Sequence, residues 1–579
     1  MNFLDYGVII GYVMLVITVG IGAAGYHTWK AKKSGTAGGD GDFFLASRTL
    51  KWPIIGLSLF STNISTVHIV ALAEQGYKNG LAYANFELAA VFTLVMLAVF
   101  FVPFYLRSNV TTLPDFLEKR YDRRCRDFLS FVSIISAIFI HIGVSLYAGA
   151  VVINSMMGLS IETVPLMVTM MFIAMATGIY VVIGGLLAVT MTDAIQTTTL
   201  LLGSALLTYF AFDKLGGWQP LYDTVGPNMI SVLRRTGDFS GMPWHAVLLG
   251  YPVIGIWYWC TDQTIVQRVL GARDEDHGKA GAIFAGFLKL LPMFLIVLPG
   301  LLCLGLINAG KLPPLADSKE VFSHMVMNLM PSGVKGIIVA GLRAALMGTI
   351  AGALNSIATL FAFDLYKRIK PDTSEKKLVH IGRIATIVGI VLAILWSPVI
   401  GHFKTIYDAI VSMICYVAPP ITAVFLVGIF WKRATCKAAL ITLWSGFGMG
   451  IVVFCLELFK AQTGWTLGAM HASGLLCGLC MLLLILCSLS EKGTNTTENL
   501  ALVWDSPLTP LRIPGARSLM NYKFLSLVLL ATASLIYYCF RAPSEAKVAA
   551  WEQAQPENAA KISRHTGVPP VSRQPLTRD

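Results

Sequence analysis

The chain has 579 residues, 55% of them hydrophobic and only 13% charged, with a formal net charge of +12. Soluble globular proteins carry about 25% charged residues, so this composition, with a mean hydropathy of +0.68, excludes an ordinary soluble enzyme. Fourteen apolar stretches are long enough to cross a bilayer. The fold class is therefore all-α, a polytopic membrane protein of about 14 transmembrane helices. Runs such as 94–103 and 294–306 are apolar on every face, which excludes the alternating pattern of a β-barrel.

In chain order the expected segments are 3–27, 52–76, 81–106, 128–156, 162–183, 186–212, 244–267, 280–308, 336–366, 384–399, 405–430, 438–458, 464–488 and 524–540. The first lacks a basic flank and a small-residue cleavage site, so it reads as a retained helix and not a signal peptide. With that end outside, the inside loops hold 27 Lys and Arg against 15 on the other side, tail included. The positive-inside rule then places both termini outside the cytoplasm, in the cell membrane. The positive charge is thus a topology signal, with no nucleic acid implied. Ten scattered cysteines, including Cys477 and Cys480 in mid-segment, suit packing and imply no disulfide framework. The expected organisation is a membrane domain over 1–541 and a disordered tail over 542–579, rich in Pro, Ala, Arg and Glu.

Two basic residues, Lys289 and Arg343, fall inside segments, with Glu87 and Asp193 as acidic counterparts. Intramembrane charge is costly, so each is a candidate functional group with a partner to be found. Arg343 is expected in an interhelical or gate salt bridge. Glu74, Asp262, Asp364, Asp408 and Glu457 lie nearer segment ends, where charge is cheaper.

The second segment holds a polar knot, Ser61-Thr62-Asn63-Ile64-Ser65-Thr66-Val67-His68. Such a knot suits a broken helix whose freed carbonyls face a cavity. The alternative is a continuous helix with hydroxyls bonded to the preceding turn. Glu87, beside Phe86, offers a carboxylate to polyol hydroxyls or to an interhelical pair, and Lys289 has the reach for a midplane cavity. On the ninth segment Thr349 supplies a hydroxyl suited to an alkali cation, while Gly348 and Gly352 fit close helix packing.

The run 184–196, Gly-Gly-Leu-Leu-Ala-Val-Thr-Met-Thr-Asp-Ala-Ile-Gln, resembles the sodium/solute symporter signature. Trp257-Tyr258-Trp259-Cys260-Thr261-Asp262-Gln263 through Arg268 is similar to the sodium/glucose cotransporter branch, and the likeness covers roughly 3–540. The resemblance implies a LeuT-type core of two inverted five-helix repeats, 52–212 and 244–430. It implies sugar contacts at Asn63, His68, Glu87, Tyr258, Trp259 and Lys289. Gates would be Phe86 and Tyr407 on the outer side, with Tyr258 beneath the substrate. Sodium, the co-transported ion, would be held by the carbonyls of Ser61, Ile64 and Ala345 and at the positions of Gly348 and Thr349. Asp193 would take part in coupling.

Two departures stand out. The family commonly has two hydroxyl residues in tandem where this chain has Gly348 and Thr349, and Val411 takes the place of a sugar-binding glutamine, with Ile414 nearby. The expected activity is inward symport of sodium with a neutral sugar or polyol by alternating access, leaving open another hexose, a deoxy sugar or an inositol. The two loops at 213–243 and 309–335 are long enough for lids. A sodium-coupled monocarboxylate or vitamin carrier and a non-concentrating solute sensor are the alternatives.

Overall fold

A computed structural model describes residues 2–33, 41–157, 163–238, 240, 242–315, 317–402, 406–491, 495–513 and 521–567. Secondary structure among them is helical, with isolated bridges at Leu50 with Ala272 and Arg234 with Pro243 in place of strands.

Among the described residues, eleven helical stretches are long and apolar enough to cross a membrane. The three fewer than the sequence suggests arise at identifiable places. Helix Trp52–Asn63 has 12 residues because the chain unwinds at Ile64 and Ser65, and its continuation Thr66–Asn79 runs on into the next stretch. Helix Trp244–Ile256 has 13 residues, followed by a π-helical turn, Trp257–Thr261, and a break at Asp262 before Gln263–Leu270. Thr163–Leu215 joins two expected segments across Gly185, whose φ of +56° suits only glycine and whose α-carbon faces the carbonyl of Phe43.

Local chemistry explains both breaks. At the first, Ser65 and His68 form a capping box: the Ser65 side chain accepts from the His68 N–H, and the Ser65 N–H donates to His68 Nδ1 at 3.3 Å. At the second, the Asp262 carboxylate accepts the Ile265 N–H at 3.3 Å. Carbonyls freed by unwinding find donors, since Thr62 O accepts the Thr349 hydroxyl at 3.0 Å and Cys260 O accepts the Tyr105 hydroxyl at 2.7 Å. The long helices Thr163–Leu215 and Val334–Leu360 pack against each other and flank the first break.

The expectation of a disordered tail is corrected over 545–566. Glu545–Ala554 and Pro556–Thr566 are helices, and the Trp551 ring is buried over Gly226, a glycine with φ of +78°. Their large apolar residues are few, Val548, Trp551 and Ile562. That is too little periodicity to register in the sequence, and docking supplies what the pattern lacks. The loop regions 213–243 and 309–335 likewise carry helices, Trp218–Ile230 and Val321–Leu329.

Candidate functional site

One cavity, enclosing about 960 Å³ of space partly open to solvent, lies where the two broken helices meet. Asn63, His68, Glu87, Tyr258, Trp259, Lys289 and Val411, scattered over nearly 350 positions of sequence, all line it, together with Phe86, Thr349 and Ile414.

Its polar side is built around Lys289, which follows the last turn of Glu275–Leu288 and is 1% exposed. The ammonium donates to the Glu87 carboxylate and, at 2.5 Å, to Asn63 Oδ1, and lies 5.4 Å from the centre of the Trp259 ring. Two opposite charges removed from water are tolerated because each finds the other and further bonds. The cluster is electrically balanced, with amide, carboxylate and ammonium edges on the cavity wall. Aromatic rings frame it: Tyr251 donates its hydroxyl to the Phe86 carbonyl at 2.9 Å, and Phe86 stacks on Tyr83 at 6.1 Å. Leu72, Ile140, Val144, Ile254, Val411 and Ile414 make the remaining lining largely aliphatic.

The residues named for sodium gather around the first break. Ser61, Ile64, Ala345 and Thr349 are buried, and Thr349 bonds to Thr62 O across the break. A Cβ on Gly348 would lie 2.7 Å from Ser61 Oγ, 2.8 Å from Gln196 Oε1 and 3.2 Å from Asp193 Oδ1. Among the described residues the Gln196 amide, Asp193 Oδ1 and the Thr62 hydroxyl have no hydrogen-bond partner. Hydroxyls, a carboxylate and unwound carbonyls are the donor set a hard cation takes, so the residues fit sodium.

Asp193, fully buried, also accepts from Ser58 Oγ at 2.5 Å and lies 3.9 Å from the Arg268 guanidinium. Ser58 precedes the first break and Arg268 follows the second, so this carboxylate spans both broken helices.

Other expectations fare differently. The Tyr407 and Asp408 side chains lie outside the described residues. Arg343 makes no salt bridge among the described residues; its guanidinium contacts Met157 Sδ at 3.4 Å. Asp364 is buried, bonded to Arg126 at 2.5 Å and Thr112 at 3.0 Å, so it is not an interfacial charge.

Sequence reasoning missed His141, Ser145 and Tyr251 in the cavity wall. His141 Nε2 is 3.4 Å from Asp262 Oδ2. A lone histidine in an apolar run, on the π-helical stretch Ser136–Gly143, was the available signal.

Comparison with known proteins agrees with this geometry. Residues 43–446 match the model of the sodium:solute symporter family. The chain is 35% identical over 515 residues to sodium/glucose cotransporter 1 of Oryctolagus cuniculus, covering 83% of this chain and 76% of the relative. It is 36% identical over 497 residues to sodium/glucose cotransporter 2 of Rattus norvegicus, covering 79% and 72%. Among solved structures, a substrate-bound, outward-open Na+-coupled sialic acid symporter superposes with a TM-score of 0.72 at 21% identity, over 85% of this chain and 99% of that one, which shows the shared LeuT-type fold. These relatives are transporters, not enzymes. The chain is a multi-pass membrane protein that belongs to the sodium:solute symporter family and couples solute movement to sodium.

Proposed function

We propose that the solute is a neutral sugar or polyol, carried inward across the cell membrane with sodium by alternating access. The observation that carries this reading is the closure of Lys289 on Glu87 and Asn63 within the cavity. A free lysine would attract a carboxylate substrate. A lysine already balanced by Glu87 offers hydrogen bonds without net charge, which suits hydroxyls and disfavours a monocarboxylate. Trp259, Tyr258 and Phe86 supply ring faces of the kind on which a pyranose stacks.

In this mechanism sodium at Thr349 and the carbonyls of Ser61, Ile64 and Ala345 holds the first break against Val334–Leu360. That orders Asn63 and His68 toward the solute. Phe86 and Tyr407 close one access, Tyr258 the other, and Asp193 relays between the broken helices. One sodium ion driven by about 100 mV and a tenfold gradient sustains roughly a 500-fold solute gradient.

The test is uptake of labelled hexoses, inositol and lactate into proteoliposomes with and without an inward sodium gradient. The expected result is accumulation of a polyol only with sodium. Lactate accumulation would move the chain to a carboxylate carrier, and binding without accumulation would make it a sensor.

A further inference from the structure

The helices Glu545–Ala554 and Pro556–Thr566 lie across a junction of three other elements. His565 Nε2 is 2.8 Å from the carbonyl of Tyr77, and the two rings meet edge to face at 4.8 Å. Lys561 donates to the Asn308 carbonyl at 3.0 Å, and Asn558 to the Asp223 carbonyl at 3.0 Å. Trp551 covers Gly226, and before it Phe540 O accepts the Val232 N–H at 2.8 Å. The C-terminal segment therefore ties Thr66–Asn79, Leu298–Asn308 and Trp218–Ile230 together.

The first of these is the half-helix that carries His68 and Leu72 into the cavity. Tyr77 lies nine residues beyond His68, about 14 Å along the axis. His565 thus holds the far end of an element whose near end is cavity wall. That half-helix is interlocked with Leu298–Asn308, since a Cβ on Gly76 or on Gly300 would collide with the facing backbone. Trp218–Ile230 is tied to this pair as well, since the Asn308 amide donates to the Thr224 carbonyl at 3.1 Å, so the contacts of the segment persist only while the half-helix keeps its place against both. The segment depends on docking: its helices of 10 and 11 residues are too short to hold themselves, and Trp551, Ala559 and Ile562 supply their apolar contacts beside a few hydrogen bonds.

We propose that 545–566 is a strap that restrains the half-helix Thr66–Asn79, and that the contact of His565 with Tyr77 breaks in each transport cycle. The proposal rests on the alternating-access reading above.

The test joins strap to half-helix reversibly, as Tyr77→Cys/His565→Cys in a chain whose exposed Cys455 and Cys539 are replaced by Ser. Sodium-driven uptake of the panel hexose that accumulates is read before and after reduction, with the extent of disulfide formation measured by mass. The oxidised form is expected to transport at least tenfold more slowly than the reduced form of the same molecule, while equilibrium sodium binding changes less than threefold. Transport by the oxidised form at the reduced rate would overturn the proposal. Trp551→Ala loosens the strap without touching the cavity and is expected to raise turnover at least twofold; unchanged turnover would also overturn it. A wild-type chain that accumulates no solute with sodium would instead defeat the symport reading.

Discussion

The Thr349 hydroxyl donates to the carbonyl oxygen of Thr62 at 3.0 Å, joining the helix Val334–Leu360 to the end of Trp52–Asn63 where that helix unwinds. A carbonyl released by unwinding and a hydroxyl on the facing helix thus share one point. In the proposed cycle sodium takes the Thr349 hydroxyl together with the nearby carbonyls of Ser61, Ile64 and Ala345 and so locks the two elements.

Thr349→Ala removes the hydroxyl and leaves the backbone in place. Losing one such bond costs about 1 kcal/mol, and losing an ion ligand costs more. The sodium concentration for half-maximal uptake should rise about tenfold with little change in thermal stability. Uptake titrated against sodium checks this, and an unchanged midpoint would remove Thr349 from the ion site.

Glu87→Gln leaves Lys289 charged and buried without its counter-charge. Breaking one side of a buried pair costs about 3–5 kcal/mol, so both stability and solute affinity should fall. Glu87→Gln/Lys289→Met removes both charges and should recover most of the stability but none of the affinity. Melting temperatures beside solute binding separate the two effects. Wild-type binding by Glu87→Gln would retire the carboxylate from the site.

Val411 and Ile414 place aliphatic side chains on the cavity wall. A sugar hydroxyl facing them goes unpaired, whereas a polar partner there discriminates strongly. Val411→Gln should therefore strengthen or redirect hexose binding at least severalfold, read by competition among hexoses, deoxyhexoses and inositol. No change for any of them would show that position 411 does not face the solute.

Much of the fold and the cavity was legible in the sequence because intramembrane polar groups are few and expensive. Asn63, Glu87 and Lys289 stand out against apolar surroundings, and the structure brings them within hydrogen-bonding distance. What escaped was chemistry with a weaker local signature. His141 sits in a run that reads as core, and the break at Asp262 follows from a single capping carboxylate where the first break has a whole polar knot. Arg343 shows the opposite failure, a conspicuous charge that meets, among the described residues, a thioether and no carboxylate. The tail helices escaped because their order comes from the surface they dock on, which no local pattern encodes.

Gly348 gives the sharpest single test of the ion region. The resemblance read from the sequence leads to the expectation of a hydroxyl at its position, yet a Cβ there would lie 2.7 Å from Ser61 Oγ and 2.8 Å from Gln196 Oε1, closer than real contacts permit. The Ser61 hydroxyl therefore reaches into the space that a serine side chain at 348 would need. Gly348→Ser should destabilise the chain by about 1–3 kcal/mol through overpacking and weaken sodium dependence. Ser61→Ala should weaken sodium dependence too, by removing a hydroxyl from the same place. Combined, the two substitutions relieve the contact with Ser61 while that with Gln196 Oε1 stays, and they restore one hydroxyl, so the double variant should lose less than the sum of the two single losses. Neighbouring residues are expected to be non-additive in this way. A cycle of melting temperatures and sodium titrations reads the coupling, and strictly additive losses would mean that Ser61 and Gly348 do not share that space.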